Sequence, residues 1–539
     1  MNSKPARSIS PRVWLLVLGL PILAAMALLF QRQTRPFVPG STALAQEKPG
    51  KAPELEGGFG WINTAGPIKI HKDLKGKIVI LDFWTFCCIN CIHTLPELAK
   101  LEKKYEKELV VIGVHSAKFE NEKNTESIRK AVLRYQIKHP VVNDAEMKIW
   151  DKYNVSSWPT LAVIDPEGNY HGALSGEGQC ELLDKYIARL IEEHKKKKTL
   201  NEEPIRFDTA KFRDKPDTPL YFPGKILADA AGKRLFIADS THHRIVITDL
   251  DGNKIAIAGT GEPGKKDGSF EKAQFDDPQG MALKNDILYV ADRKNHCLRA
   301  LDLKASLVKT IAGTGKQDRD NRGIGGPGLE IGMNSPWDLL LSPDGKQLFI
   351  AMAGHHQIWT YDLKDERLDP YAGDGAENIR DGGLAMARFA QPSGLTTDGK
   401  RLYVADSEVS AIRSVPLDGR GDVRTLVGLG LFKFGDEDGK GDDVRLQHAL
   451  GVLYFNGKLI VADTYNNKLK LLDPETRECK TFLGGDKKEP LFNEPAGLSM
   501  ANGKLYVADT NAHRIRIVDL KTKAVTTLEL KGVTPVVSR

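Results

Sequence analysis

The sequence has few cysteines, little excess charge and few long apolar runs. Six cysteines are spread over 539 residues, which is too sparse a set for a disulfide scaffold. Residues 1–51 carry seven basic residues and one acidic residue, so residues 52–539 hold 70 of each. This balance leaves no global footprint for nucleic acid, and no nucleic-acid partner is expected. With 41% hydrophobic and 27% charged residues, the chain is neither disordered nor a multi-span membrane protein.

One long apolar run does occur, from Val13 to Phe30. Its eighteen residues are near the lower limit for crossing a bilayer and exceed a usual signal-peptide core. We therefore predict an N-terminal membrane anchor over 1–35, with membrane contact through 13–30 and the remaining domains in an extracytoplasmic, periplasmic compartment. The alternative is secretion after cleavage near Ala45, where small residues resemble a cleavage site. The run is bracketed by Lys4, Arg7, Arg12, Arg32 and Arg35.

A change of pattern after the apolar run predicts a tether and then an α/β domain. Residues 36–58 are rich in proline, glycine and small polar residues, which is typical of a tether. Buried-strand patterns follow at 77–83, 109–114 and 160–164, with a helical segment at 92–107. Alternating strands and helices indicate a layered α/β domain, which we place at 59–196.

A pair of thiols stands where the first of these strands gives way to the helix. Cys88 and Cys91 have the Cys-x-x-Cys spacing, which can close a small disulfide loop. The positive end of a helix dipole favours the thiolate form of the first thiol, so Cys88 is the candidate nucleophile and Cys91 the resolving thiol. Ile92 rather than histidine follows Cys91, which excludes c-type haem attachment, and no second cysteine pair exists to complete a zinc site. No cofactor and no metal are expected.

The residues around this pair resemble the thioredoxin family. The matching segments are Asp82-Phe83-Trp84, the Cys88/Cys91 pair, Pro96 and Trp158-Pro159-Thr160. The resemblance implies a cis proline at Pro159 that, with Trp158, shapes the substrate-binding surface beside the cysteines. It also implies that Asp82 is a buried carboxylate assisting proton transfer at the resolving thiol. Cys87 departs from the family pattern, and either an alternative disulfide or simple packing would account for it.

A repeat dominates the second half of the chain. A Leu-x-x-Ala-Asp pattern, with methionine replacing aspartate in the third copy, occurs six times at intervals of 46 to 60 residues. Strand and turn patterns around each copy indicate four short strands. The repeat therefore predicts a six-bladed β-propeller over 221–530, after a linker at 197–220. We expect the last blade to supply all four of its own strands. The copies begin at Leu235, Leu288, Leu348, Leu402, Leu459 and Leu505.

Histidines recur at one position of this repeat. His243, His296, His356 and His513 each lie four residues after the aspartate position. Repetition at one structural position favours capping of a turn by the imidazole over catalysis or metal binding. The segment Asn295-His296-Cys297-Leu298 resembles the NHL repeat. The fold class predicted is thus a thioredoxin-like α/β domain plus an all-β six-bladed NHL propeller, with an N-terminal transmembrane anchor.

The combination of Cys-Cys-Ile-Asn-Cys with an NHL propeller resembles the NHL repeat-containing protein 2 family, in a membrane-tethered, bacterial-type form. The resemblance implies a thiol-disulfide oxidoreductase with protein thiol or disulfide clients, and a propeller face that binds a protein partner. The alternative is a redox-silent scaffold that uses only the propeller surface.

Overall fold

The protein is described by a computed structural model that covers residues 43–44, 50–207, 218–320, 323–486 and 490–536. The predicted anchor over 1–35 lies outside the described residues. Within those ranges, no helix combines the length and apolar character that a membrane crossing requires. The described chain forms an α/β domain followed by a six-bladed β-propeller.

The α/β domain is built on one mixed sheet with the strand order β1-β8-β7-β4-β5-β6-β3, and β2 also pairs with β8. Its two central strands are parallel to each other and buried along their whole length, as their continuous apolar runs predict. The strands are β1 (Ala43–Leu44), β2 (Gly50–Lys51), β3 (Phe59–Ile62), β4 (Ile78–Trp84), β5 (Leu109–His115), β6 (Val141–Asn143), β7 (Thr160–Ile164) and β8 (Asn169–Ser175). The helices are α1 (Ile70–Asp73), α2 (Ile89–Lys104), α3 (Thr125–Arg134), α4 (Lys148–Lys152) and α5 (Cys180–Lys197).

Parts of the predicted tether and linker are folded rather than extended. Strands β1 and β2 fall within 36–58 and pair with β8, and Ala52 and Leu55 are buried in the domain core. These strands are two residues long, too short to give a period in the sequence. At the other end, the buried ammonium of Lys77 donates to the carbonyl oxygens of Asn201 and Glu203, both at 2.6 Å. The start of the 197–220 segment is therefore held against the domain.

The propeller contains six antiparallel sheets arranged as predicted. Blade 1 comprises β9 (Ile226–Asp229), β10 (Arg234–Asp239), β11 (Arg244–Asp249) and β12 (Lys254–Ala258). Blade 2 comprises β13 (Gly268–Ser269), β14 (Pro278–Lys284), β15 (Ile287–Asp292), β16 (Cys297–Asp302) and β17 (Leu307–Ala312). Blade 3 comprises β18 (Gly326–Pro327), β19 (Pro336–Leu341), β20 (Gln347–Met352), β21 (Gln357–Asp362) and β22 (Arg367–Ala372).

The remaining blades repeat this plan. Blade 4 comprises β23 (Gly382–Gly383), β24 (Pro392–Thr397), β25 (Arg401–Asp406), β26 (Ala411–Pro416) and β27 (Asp422–Val427). Blade 5 comprises β28 (Gly439–Lys440), β29 (Gly451–Phe455), β30 (Lys458–Asp463), β31 (Lys468–Leu472) and β32 (Glu478–Gly484). Blade 6 comprises β33 (Pro495–Ala501), β34 (Lys504–Asp509), β35 (Arg514–Asp519) and β36 (Val525–Thr527). Blades 1 and 6 each use consecutive strands, which confirms that the ring closes without a strand exchanged between them.

The repeated histidines link neighbouring blades. The Nδ1 atom of each of the four accepts a backbone N–H from the next blade, which confirms the predicted capping role. In the two blades that lack the histidine, the side-chain oxygens of Ser410 and Asn467 accept the equivalent backbone N–H. All six donor residues have a left-handed backbone, with φ between 49° and 64°. We call these six the docking ring: Phe222, Asp277, Ser335, Gln391, His448 and Glu494.

Candidate redox site between the two domains

The predicted thiol pair lies at the N-terminus of α2. Strand β4 ends at Trp84, and a short loop leads to Cys88, which is the N-cap residue of the helix. Cys91 is in the first helical turn, and Pro96 is inside the helix. The thiol of Cys88 makes no capping hydrogen bond; instead the N–H of Ile89 donates to Oε1 of Gln391 at 2.8 Å. A propeller side chain therefore satisfies one of the free amides of the helix terminus.

The structure brings together the residues that the sequence predicts around the thiols. The Trp158-Pro159 peptide bond is cis, and Pro159 is buried. Trp158 packs against the apolar cluster that contains all three neighbouring cysteines. Its Nε1 donates to the carbonyl oxygen of Ser116 at 3.0 Å, which fixes the orientation of the indole. Cys88 and Cys91 are free thiols in this arrangement.

Asp82 is fully buried, and it is near enough to Cys91 to affect the pKa of that thiol. Burial raises the pKa of Asp82 to about 7, with a smaller opposing effect from His139. Among the described residues, neither carboxylate oxygen has a hydrogen-bond partner. Burial, a hydrogen bond with Cys88 and the nearby Asp82 also raise the pKa of Cys91. A carboxyl group that titrates near neutrality thus lies close to a thiol that holds its proton, as a proton acceptor should.

Asp82 makes the stability of the protein depend on pH. The pKa of Asp82 is about 7 in the folded protein, against 3.8 for the ordinary carboxyl group. The stability that the protonated carboxyl contributes at low pH is therefore lost as pH rises through 7. Asp82→Asn removes this loss. Between pH 4 and pH 7, the free energy of unfolding of this variant should therefore rise by about 3 kcal/mol relative to that of the unchanged chain. Denaturant titrations at three pH values measure this difference. Asp151→Asn, at an exposed position, is the control, and equal pH profiles for the two variants would contradict the prediction.

Cys87 has a different environment from its neighbours. Its N–H donates to Oε1 of buried Glu122 at 2.9 Å, and its thiol donates to Oε1 of Glu408 at 3.6 Å. Burial raises the pKa of Cys87 well above its ordinary value, and both carboxylates add to this effect. Lys118 acts in the opposite direction but is itself paired with Glu408 at 2.8 Å. The thiol of Cys87 is therefore held in its protonated form, which favours packing over nucleophilic attack.

The propeller covers this whole end of the α/β domain through the docking ring. Cys88 is 9% exposed, and Cys87 and Cys91 are each 1% exposed. Gln391 holds the cysteine loop a second time, since its Nε2 donates to the carbonyl oxygen of Cys87 at 3.0 Å. Other ring contacts are Ser335 Oγ with His93 Nε2 at 2.7 Å, Glu494 Oε2 with Arg134 Nη2 at 2.7 Å, and the rings of His448 and Phe119 with centroids 5.3 Å apart.

Sequence reasoning missed the propeller residues of this site. Gln391 and Glu408 are more than 300 positions from Cys87 in the chain, and no local pattern connects them. A signal for the ring does exist, because four of its members directly precede the proline that opens an inner strand: Asp277, Ser335, Gln391 and Glu494. A polar residue at that repeated position, before the inner strands of four blades, is a sequence signal that could indicate a docking face.

One group of side chains in the described part of the chain has the spacing of a metal site. Ligand atoms of Asp165, Glu167 and His194 lie within 4.8 Å of one another. Asp165 already accepts hydrogen bonds from His171 and Asn169, both at 2.9 Å. These bonds outweigh burial and lower its pKa. The carboxylate of Asp165 is thus satisfied by protein donors. Asp165 follows the end of β7 opposite to Pro159, so this group is separate from the candidate redox site.

Comparison with known proteins agrees with both domains. Residues 76–170 match a family model described as thioredoxin-like. Residues 275–301 and 492–518 match the model of the NHL repeat. The first match contains β4, the cysteine motif and β7, and the second pair falls on blades 2 and 6.

Several relatives match along most of the chain. NHL repeat-containing protein 2 of Gallus gallus is 43% identical over 495 residues, which is 84% of this chain and 68% of that protein. Protein SUPPRESSOR OF QUENCHING 1, chloroplastic, of Arabidopsis thaliana is 46% identical over 511 residues, 90% of this chain and 48% of that protein. This chain therefore spans about two thirds of the first relative and about half of the second. Thiol-disulfide oxidoreductase ResA of Bacillus cereus is 32% identical over 119 residues, 22% of this chain and 66% of that protein.

Proposed function

The chain belongs to the NHL repeat-containing protein 2 family, and from this premise we propose that it is a thiol-disulfide oxidoreductase whose propeller forms one wall of the redox site. The observation that carries the proposal is the position of Cys88, at the N-terminus of α2 with Cys91 one turn away and Trp158 packed on the same cluster. The similarity to an oxidoreductase over the α/β domain supports it.

The proposed reaction transfers two electrons to a client disulfide. The thiolate of Cys88 attacks one client sulfur, the client S–S bond breaks, and the other client sulfur leaves as a thiolate that takes a proton from solvent. Cys91 then attacks Cys88 in the mixed disulfide. This step releases the reduced client and leaves a Cys88–Cys91 disulfide, while Asp82 accepts the proton of Cys91. A dithiol reductant is needed to return the pair to its reduced form.

We propose that the clients are protein thiols or disulfides presented as extended segments, because the docked propeller leaves little of Cys88 exposed. We further propose that residues 13–30 hold the protein to a membrane with both domains on the periplasmic side. The apolar run bracketed by basic residues supports this location.

A redox-silent scaffold is the second candidate, and the burial of the thiols is the observation that favours it. In that case the docking ring joins the two domains permanently, and the propeller surface alone binds partners. The two candidates differ in whether Cys88 can react with a disulfide at all.

A mixed-disulfide trap separates them. With Cys91→Ser, the attack by Cys88 can occur but the resolving step cannot, so an oxidised protein client should remain covalently attached until dithiothreitol is added. Non-reducing electrophoresis and mass spectrometry identify the adduct and the cysteine that carries it. The Cys88→Ser/Cys91→Ser chain is the matched control and should form none. Equal adducts in both chains would reject the oxidoreductase and leave the scaffold.

A further inference from the structure

The segment between α3 and β6 places a buried histidine, His139, against strand β5. The side-chain amide of Asn63 donates to the carbonyl oxygen of His139 at 3.0 Å, and the N–H of Gly113 in β5 donates to the carbonyl oxygen of Pro140 at 2.9 Å. The side chain of His139 is 4% exposed. Hydrogen bonds on both sides therefore fix the backbone from which this imidazole projects.

The imidazole lies on the face of the sheet that also carries Asp82. Asp82 pairs in register with Gly113 of the neighbouring strand, so both residues point to the same face. A Cβ atom at Gly113 would lie 3.4 Å from Nε2 of His139. Because glycine has no side chain, the ring can approach β5 at the position beside Asp82.

The two ring nitrogens of His139 have different surroundings. Nδ1 donates to Oε2 of Glu102 in α2 at 3.2 Å. A carboxylate only accepts hydrogen bonds, so this contact places the hydrogen of the neutral ring on Nδ1 and leaves Nε2 as an acceptor. Among the described residues, no hydrogen-bond partner reaches Nε2 or either carboxylate oxygen of Asp82.

His139 and Asp82 titrate in overlapping ranges of pH. Burial raises the pKa of Asp82 to about 7, and His139 opposes this rise. Burial alone would lower the pKa of His139, but Glu102 and Asp82 together reverse this and raise it above 6.5. The charged groups that act on the imidazole are therefore Glu102 from α2 and Asp82 from β4. A proton can move between groups so matched at little cost in free energy near neutral pH.

Glu102 connects this pair of groups with solvent. The side chain of Glu102 is 27% exposed, whereas Asp82 is fully buried. Glu102 and His139 both line a groove of about 540 Å³ between the α/β domain and the propeller, whose side of the groove includes Asp276 and Lys294. The carboxylate of Glu102 is thus a point at which a proton can pass to water.

We propose that His139 and Glu102 form a proton path between Asp82 and this groove. In the resolving step the thiol proton of Cys91 passes to the Asp82 carboxylate, and the Asp82 carboxyl then gives a proton to Nε2 of His139. Nδ1 of His139 releases its own proton to Glu102, which passes it to water. The path ends with both carboxylates ionised and the imidazole neutral, now protonated on Nε2, and a ring flip restores the starting tautomer.

This inference rests on the proposed function, and it makes His139 a positioning residue because the imidazole acts on the sulfur only through Asp82. Glu102→Gln tests it most directly, since the amide oxygen still accepts from Nδ1 but cannot take up a proton. We expect the resolving step to slow by about tenfold or more, below the roughly 100-fold or larger loss that removal of a direct general base brings. The attack by Cys88 should keep its rate.

The two steps are measured separately on the full chain. Stopped-flow tryptophan fluorescence of the reduced protein, mixed with a saturating concentration of insulin, follows the resolving step. Adduct formation with insulin in Cys91→Ser, with and without Glu102→Gln, follows the attack. Glu106→Gln is the matched control because Glu106 is exposed and lines the same groove, and it should change neither rate.

Imidazole in the buffer gives a readout that a purely structural role of His139 would not move. His139→Ala removes the ring that stands between Asp82 and Glu102 and should slow the resolving step as Glu102→Gln does. Added imidazole should restore the rate in a saturable way by carrying the proton itself, whereas sodium chloride at equal ionic strength should not.

Three results would overturn the proposed path. They are an unchanged resolving step in Glu102→Gln, an equal slowing of adduct formation, and no recovery of His139→Ala with imidazole. Absence of any adduct in Cys91→Ser would instead reject the proposed function.

The link between Asp82 and His139 is also tested without a client. Infrared difference spectroscopy at increasing pH follows the band of the protonated carboxyl that Asp82→Asn lacks. His139→Gln should move the loss of this band to higher pH, because the imidazole lowers the pKa of Asp82. The same midpoint in His139→Gln and in the unchanged chain would show that the two groups are not coupled, and the path would be rejected.

Discussion

Cys88→Ser is expected to reduce the turnover of a disulfide substrate to the rate of the buffer, whereas Cys87→Ser should keep most of the activity. Under the proposed mechanism only the first substitution removes the attacking sulfur. A serine hydroxyl cannot form the mixed disulfide, so the loss should be complete. The turnover of both variants is measured as the reduction of insulin by the full chain in the presence of a dithiol reductant. Turbidity of the solution reports the reduction.

The difference between the two cysteines follows from their surroundings. Cys88 is at the helix N-cap, while the thiol of Cys87 points to Glu408 and its amide to Glu122. The two carboxylates oppose formation of a Cys87 thiolate, and burial raises the pKa of that thiol most of all. Serine at position 87 can still donate to Glu408, so the fold of the loop should be preserved.

Two outcomes would contradict this assignment. Turnover by Cys88→Ser equal to that of the unchanged chain would show that Cys88 is not the nucleophile. Loss of turnover in Cys87→Ser alone, with an unchanged near-ultraviolet circular dichroism spectrum, would move the nucleophile to Cys87. The near-ultraviolet spectrum is needed for both variants because Trp158 packs on the same cluster.

The sequence predicted the parts of the fold that repeat or that are buried on both faces. The six Leu-x-x-Ala-Asp copies all fall on the second long strand of a blade, such as β10 and β15. The apolar run at 77–83 corresponds to β4. In these segments one physical constraint, burial of a strand, acts on consecutive residues and leaves a pattern. The two-residue strands β1 and β2 leave no such pattern, so their pairing with β8 cannot be predicted from the sequence of the segment at 36–58.

The sequence predicts the residues that the α/β domain contributes to the candidate redox site, but not those that the propeller contributes. Cys88 and Cys91 are indicated by their spacing, and the resemblance to the thioredoxin family implies that Asp82 and Pro159 share a site with them. The role of Cys87 stayed open because it depends on Glu408, which is 321 residues away. Docking of two domains is decided by side chains that face each other only after both have folded, and these contacts have no period or spacing in the chain.

Glu408→Ala should lower the free energy of unfolding by about 3 to 5 kcal/mol, because it leaves a buried charge without its partner. The side chains of Lys118 and Glu408 are only 4% and 5% exposed, and their charged atoms are 2.8 Å apart. Burial alone would lower the pKa of Lys118, but Glu408 reverses this and raises it, so the lysine is charged in the docked state. Equilibrium denaturation in guanidinium chloride measures the loss.

A double substitution tests whether the loss comes from the abandoned charge. In Glu408→Ala/Lys118→Met no buried ammonium remains, and a linear apolar side chain replaces the lysine stem beside Phe119, so most of the lost stability should return. Glu475→Ala, at an exposed turn, should change stability by less than about 0.5 kcal/mol. If Glu408→Ala behaves like Glu475→Ala, the pair does not hold the domains together. A double variant no more stable than Glu408→Ala would instead assign the loss to packing. Rescue by Lys118→Met would assign the loss in Glu408→Ala to the lysine charge left buried between the domains, since the double variant also lacks the pair.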